Sequence, residues 1–166
     1  DAEKRGLSNR KDTPRALQAY HDKSIEKLFE SMGVLSPREL EARREIEFDG
    51  YVLKIQIESR LMGDLVNNNI IPAVLEYQNK LIQNIQGMMA VFGDKEGKAM
   101  ASTQIDILKQ VNLHLTSMKS ASEKMLAERK KANSIEDVEK KALAYCDNVK
   151  VHFDEIRYHA DKLELI

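Results

Sequence analysis

Cysteine is nearly absent: Cys146 stands alone among 166 residues. One thiol excludes an internal disulfide and any zinc site built on paired cysteines, and it fits a reducing compartment such as the cytoplasm. Breakers are scarce too, with 3 Pro and 7 Gly, and aromatic residues make up only 5%. In a chain rich in Glu, Lys, Arg, Leu and Ala, so few breakers is the composition of long helices. An excess of either charge is missing, since 26 basic and 27 acidic side chains leave a net charge of -1. A nucleic-acid binder usually shows a basic excess, so nothing in that balance points to phosphate backbones. No apolar run approaches the ~20 residues that span a bilayer, and no signal peptide is visible. No nucleic-acid or membrane partner is expected.

What is present is charge, at 32% of residues, threaded by apolar stripes. The length predicts one domain with chain enough for a hydrophobic core. The sequence opens on Asp1 without Met, and its first thirteen residues, DAEKRGLSNRKDT, are mostly polar. Residues 1–13 thus read as a linker from an upstream domain, residues 14–166 as a single helical-bundle domain, and the whole as an excised fragment.

Thr13-Pro14 predicts a helix start, a capping hydroxyl before Pro at the first helical position. Leu17, Tyr20, Ile25, Leu28, Phe29 and Met32 follow at helical spacing, with a restart available at Asp22 and a left-handed cap at Gly33. Ser36-Pro37-Arg38-Glu39 is a capping box. Beyond Leu40, Ile46, Phe48, Gly50 and Val52 alternate as in a strand, and so do Leu53, Ile55 and Ile57, but the two runs are out of phase. Tyr51, Ile55, Glu58, Met62, Leu65 and Val66 fit one helical stripe, so helix is predicted. Asn67-Asn68-Asn69 and Pro72 mark a kink, after which Val74, Tyr77, Leu81, Ile85, Met88 and Phe92 resume the stripe.

GDKEGK, residues 93–98, reads as a loop. Leu108, Val111, Leu115, Met118, Ser122 and Met125 then alternate three and four residues apart, ending at Glu128-Arg129-Lys130-Lys131, where cations favour a helix C-terminus. A last helix is expected from Ser134 and Asp137, with its seam at Val138, Ala142, Tyr145, Val149, His152, Ile156, His159 and Leu163. Two heptad-like stripes joined by a short polar loop imply an antiparallel pair. The predicted fold is all-α, an antiparallel bundle of about four long helices with short loops, one helix kinked near Pro72.

No site survives comparison with its structural alternative. GDKEGKA, Gly93 to Ala99, resembles a phosphate loop, but three residues rather than four separate the glycines and Ala99 stands where Ser or Thr would hold Mg²⁺. His152, Glu155 and His159 share a helical face, yet neither they nor His21 and His114 follow a Glu three residues earlier, and HExxH is absent. Seam histidines satisfied by a neighbour are the favoured reading. Cys146 lies one position past the seam. Glu136/Lys140 and Asp137/Lys141 read as helix-surface pairs, Met62, Met118 and Met125 as core. No catalytic, cofactor-binding or metal-ligating residue is assigned.

Two stretches carry a family likeness. One runs Leu7 to Arg43 and contains Lys23-Ser24-Ile25, Leu28-Phe29, Gly33-Val34, Ser36 and Glu39-Leu40-Glu41-Ala42-Arg43. The other runs Tyr51 to Leu81 and contains Ile55-Gln56-Ile57-Glu58, Met62, Ile71-Pro72-Ala73 and Tyr77. Together they resemble the C-terminal helical region of type III glutamine synthetases, the large bacterial form of that enzyme. Beyond residue 81 the likeness thins to a helical pattern with an echo at Arg157 and Ala160-Asp161, and Tyr158-His159 departs from the family's usual small, Pro-containing stretch.

The resemblance implies a parent that condenses glutamate and ammonia with ATP, uses a divalent metal (Mg or Mn), and forms a ring-shaped oligomer in the cytoplasm. It implies no cofactor in this region, and partners in an upstream catalytic domain and neighbouring subunits. The function expected is a non-catalytic assembly or packing domain of that ligase. The alternatives are a free-standing helical adaptor that binds partner helices and, ranked last, a metal-binding bundle enzyme.

Overall fold

Three helix boundaries in the first third of the chain, at Asp12, Gly33 and Ser36, have a visible chemical cause. The computed structural model describes all residues except Ala2, which lies within the stretch expected to be a linker. After a short 3₁₀ turn at Glu3–Arg5, helix α1 (Thr13–Leu17) is capped by Asp12, whose carboxylate accepts from the Arg15 N–H at 2.9 Å. The cap is thus one residue earlier than the expected Thr13. A carboxylate reaches the same orphan N–H and also complements the positive helix end.

A 3₁₀ turn at Gln18–His21 leads to α2 (Lys23–Ser31). Asp22 precedes α2 as expected, but its carboxylate makes no cap bond and pairs with Arg10 at 3.0 Å. Gly33, at φ +64, closes α2. Its N–H donates to Glu30 C=O at 3.0 Å and that of Val34 to Phe29 C=O at 3.0 Å, the double bond pattern of a Schellman cap.

Helix α3 (Pro37–Leu65) opens on the expected capping box. The Ser36 N–H donates to Glu39 Oε2 at 2.8 Å, and the Glu39 N–H to Ser36 Oγ at 3.3 Å. The helix predicted through the ambiguous stretch is present, and Tyr51, Ile55 and Val66 of the expected stripe are buried with Met62 half-buried, but the buried face is broader. Leu40, Arg44, Phe48, Val52, Ile55 and Ser59 point inward, whereas Glu58 and Leu65 are exposed. Phe48, wholly buried, lies between Arg44 and Val52 at four-residue spacing on that face.

The break expected near Pro72 takes the form of a π turn at Val66–Ile70. Pro72 has no N–H to offer, and the Ile71 N–H reaches back five residues to Val66 C=O. Asn67 Nδ2 donates to Gly63 C=O at 2.8 Å, and the Asn68 amide bonds the Asp64 carboxylate, so the Asn run supports the preceding turn.

Helix α4 (Ile71–Met100) follows, and here the expected loop at residues 93–98 is overturned. Only Gly93 leaves helical geometry, at φ 77 and ψ 165, a conformation essentially reserved for glycine. The residues after it are helical again, and Gly97 explains why. A Cβ there would lie 2.5 Å from Met89 Cα and 2.6 Å from Met88 O. The chain reverses at one glycine and packs the next turn directly on the backbone it has just left.

Helix α5 (Ser102–Asn133) buries Val111, Leu115, Met118, Ser122 and Met125 at the expected spacing. Helix α6 (Val138–Ala144) is capped by Asp137, which accepts from the Lys140 N–H, while Ser134 instead bonds back to Lys131 C=O at 2.7 Å. The single last helix expected from the seam is interrupted by a π turn (Tyr145–Val149) and a 3₁₀ turn (Lys150–His152) before α7 (Phe153–Glu164). The seam survives the interruption: Ala142, Tyr145, Val149 and Ile156 are all buried.

Contacts divide the chain into two compact units. The first comprises residues 1–59 and 127–150, with its core around Phe48, Val52, Ile55, Tyr145 and Val149. The second comprises residues 60–126 and 151–166, with its core around Val66, Val111, Met118, Met125 and Ile156. Within the second unit α3 and α5 touch directly, since a Cβ on Gly63 would meet Leu126 Cδ2 at 3.0 Å. No described helix is long and apolar enough to cross a membrane.

Candidate functional site

The strongest polar cluster lies in the first unit, around Arg44. This residue occupies the buried face of α3 and is only 7% exposed. Its Nη1 donates to Glu139 Oε2 at 2.6 Å and its Nη2 to Glu41 Oε1 at 2.5 Å, while Cζ sits 5.5 Å from the Phe48 ring centroid. Glu139, in α6, also accepts from Gln18 Nε2 at 2.9 Å and lies 3.5 Å from His21 Nε2. Burial pulls the Arg44 pKa down, but the two carboxylates outweigh it and raise it. The Arg44 hydrogen bond in turn holds Glu41 below the ordinary carboxylate range, against the opposing effect of burial.

A second arginine ties α1 to the residues after α6. Arg15 Nη1 and Nη2 meet the two oxygens of Asp147 at 3.0 and 2.9 Å, and Nη1 also meets Asp12 Oδ2 at 2.7 Å. Hydrogen bonding to Asp147, then to Asp12, raises the Arg15 pKa. Burial works to raise that of Asp12 but is overcome by its bonds to Arg15. The geometry is bidentate, the arrangement in which guanidinium and carboxylate bind best.

Both clusters are joints. The guanidinium charges are met by carboxylates of the same chain, and no hydroxyl or thiol nucleophile is aligned with a base in either. Sequence reasoning missed them because the partners lie far apart, 95 residues for Arg44 and Glu139 and 132 for Arg15 and Asp147. Nearby, the Tyr51 hydroxyl is buried without a hydrogen-bond partner, and burial, then the neighbouring Cys146, pushes its pKa up. Tyr145 has found a partner, donating to Asn133 Oδ1 at 2.6 Å.

In the second unit His114 and His159 bring Nδ1 to Nδ1 at 2.9 Å, so one ring donates and the other accepts. Burial, then His159, then Lys162 lowers the His114 pKa. His159 therefore pairs across to α5 instead of along its own helix with His152 and Glu155. Among the described residues, no group of three or more His, Cys, Asp or Glu is placed to hold a metal ion. An apolar cavity of about 540 Å³ opens among Ile70, Val74, Tyr77, Val111 and Leu163, with Asp161 and Glu164 in its lining.

The remaining candidates fall out as follows. The glycines of the phosphate-loop lookalike make the reversal at Gly93 and the close approach at Gly97. Glu136/Lys140 and Asp137/Lys141 are not helix-surface pairs, because α6 starts only at Val138 and Asp137 is its cap. Met118 and Met125 are fully buried and Met62 is half-buried. Arg129, in the cationic last turns of α5, is half-buried, with its Nε enclosed and without a partner.

Exposed apolar side chains stand out against this background. Ile46, Leu53 and Ile57 on α3, and Leu75, Val91 and Phe92 on α4, belong to long helices and are uncovered.

The described residues thus combine helices, internally paired charges and uncovered apolar side chains. Comparison with known proteins gives the chain a family. The family described as glutamine synthetase C-terminal domain matches residues 1–89. A glutamine synthetase of Bacteroides fragilis (strain YCH46) is 34% identical over 165 residues, covering 99% of this chain and 23% of that protein. A type-3 glutamine synthetase of Dictyostelium discoideum is 29% identical over 98% of this chain and 22% of its own length. A glutamine synthetase of Butyrivibrio fibrisolvens is 28% identical over 100% of this chain and 23% of its own length. The chain belongs to the glutamine synthetase C-terminal domain family. It spans under a quarter of the length of the curated relatives it matches, and the relationship runs past residue 81, where the sequence likeness thins.

Proposed function

We propose that this chain is the non-catalytic helical domain of a type III glutamine synthetase, serving the assembly and packing of the enzyme around its catalytic core. The observation that carries the reading is the span of the matches: three enzymes named glutamine synthetase align with 98–100% of this chain using only 22–23% of themselves. The parent is then an ATP-dependent glutamate–ammonia ligase of the cytoplasm. ATP and Mg or Mn belong to its catalytic domain, and no residue here is assigned to catalysis, cofactor or metal. Its partners are the upstream catalytic domain and neighbouring subunits.

Within the proposal, residues 1–13 connect to that domain and residues 14–166 form one helical domain whose long helices run as an antiparallel bundle. Packing suits such an element. Long helices with balanced charge offer side-chain area, and burying apolar area between protein elements drives association. The test is calorimetric and enzymatic. Titrating the chain with Mg-ATP and glutamate should give no saturable binding, and the chain alone should form no glutamine. Micromolar binding, or turnover, would overturn the non-catalytic reading.

A further inference from the structure

Helix α3 is apolar on two opposite sides, and only one side is covered. At 100° per residue, Ile46, Gly50, Leu53 and Ile57 fall within about 60° of one another, and Phe48, Val52, Ile55 and Ser59 lie roughly opposite. The second set is buried, whereas Ile46 is 69% exposed and Leu53 and Ile57 are each 56% exposed. Exposed Glu47, Lys54 and Glu58 lie between the two sides, so the outward one is a separate apolar stripe without cover in this chain.

Gly50 sharpens the point. Glycine weakens a helix interior but leaves room where something approaches the backbone closely. Nothing in this chain does so here, for a Cβ at Gly50 meets no atom within 4 Å. Gly97 shows the contrasting case in the same molecule, where a Cβ would strike backbone at 2.5 Å. Ile46, Leu53 and Ile57 therefore border a notch that is empty within this chain.

We infer that the outward face Ile46–Gly50–Leu53–Ile57 is a docking surface for the catalytic polypeptide of the parent enzyme, with a partner element crossing close over Gly50. The inference rests on the reading proposed above. The occupant follows from length: in each matched relative about three quarters of the polypeptide lies outside the aligned region, which supplies ample surface to cover one helix face.

The test uses the full-length enzyme carrying Leu53→Cys, with the unmodified enzyme giving the background from its native thiols. Maleimide labelling of the introduced thiol should be at least about tenfold slower in the native than in the denatured enzyme, as for a side chain released only by local opening. Adding Gly50→Leu should bring the labelling back toward the denatured rate, because a large side chain holds the partner off. Rapid labelling of the native Leu53→Cys enzyme would overturn the inference, and so would no response to Gly50→Leu. Oxidative cross-linking of the introduced thiols between subunits would overturn it by showing that a second copy of the same face is the occupant. Removal of residues 14–166 without effect on assembly or activity would instead sink the underlying reading, so the two failures are distinguishable.

Discussion

Glu139→Gln removes a negative charge without changing shape, and the Arg44 cluster states what that costs. Glu139 lies 2.6 Å from a guanidinium whose side chain is 8% exposed, and its own side chain is 24% exposed. Breaking a fully buried pair costs about 3–5 kcal/mol and a surface pair about 0–1. Glu41 remains on Arg44 at 2.5 Å but is 48% exposed, so it offsets part of the loss. A cost of about 2 kcal/mol results, which for a chain of this size is a fall in Tm of about 4–8 °C.

Arg44→Met should cost less. It keeps the packing against Phe48 and leaves carboxylates that solvent can reach, whereas Glu139→Gln leaves a buried cation underpaired. Thermal unfolding followed by circular dichroism at neutral pH measures both, and the double variant gives the coupling between them. A Glu139→Gln protein melting within about 1 °C of the parent, or an Arg44→Met protein that is the less stable of the two, would refute the reasoning.

Further outcomes follow from the core, the glycines and the histidine pair. Leu115→Asp places an unpaired charge on the buried face of α5 and should cost several kcal/mol, whereas Lys119→Asp, at an exposed position, should be close to neutral; equal melting shifts would show the phase of α5 is wrong. Gly97→Ala should destabilise, because its Cβ meets backbone, while Gly50→Ala should stabilise by about 0.5–1 kcal/mol in this chain alone; a reversed order of melting temperatures would contradict the packing at Met88 and Met89. The depressed pKa of His114 means that the unfolded chain binds more protons below its ordinary value of 6.5. Its contribution to stability is thus complete above that pH and declines as the pH falls toward the folded value. Denaturant midpoints across pH 5–8 should show this slope weakened in His114→Gln, and an unchanged slope would refute it.

The legible parts of the fold were those set by local chemistry or sustained period. The cap at Gly33, the box at Ser36 and Glu39 and the seam from Val111 to Met125 need only neighbours in sequence. The cap at Asp12 was placed one residue late because adjacent Thr13 offers the same kind of oxygen, and of the Ser134 and Asp137 pair read as a start only Asp137 makes the cap. GDKEGK read as a loop by composition, but a single residue can turn the chain when the conformation at Gly93 is open to it. The inward face of α3 was read in part: Tyr51, Ile55 and Val66 are buried as expected, but Phe48 and Val52 were left out and Glu58 and Leu65 wrongly included, because apolar residues lie on more than one side of the helix. The joints at Arg44 and Arg15 were invisible, their partners being set by tertiary packing. Family membership was legible from local residues at Lys23–Ile25, Gly33-Val34 and Ile71–Ala73, which is why it was read without any chemical site.

The central claim is that this domain holds its parent enzyme together without taking part in the reaction. Light scattering on the full-length enzyme and on a form lacking residues 14–166 tests it most directly. The account predicts that the truncated form loses the mass of the native assembly, with glutamine formation falling alongside. An assembly of undiminished subunit number with unchanged kinetics would contradict it.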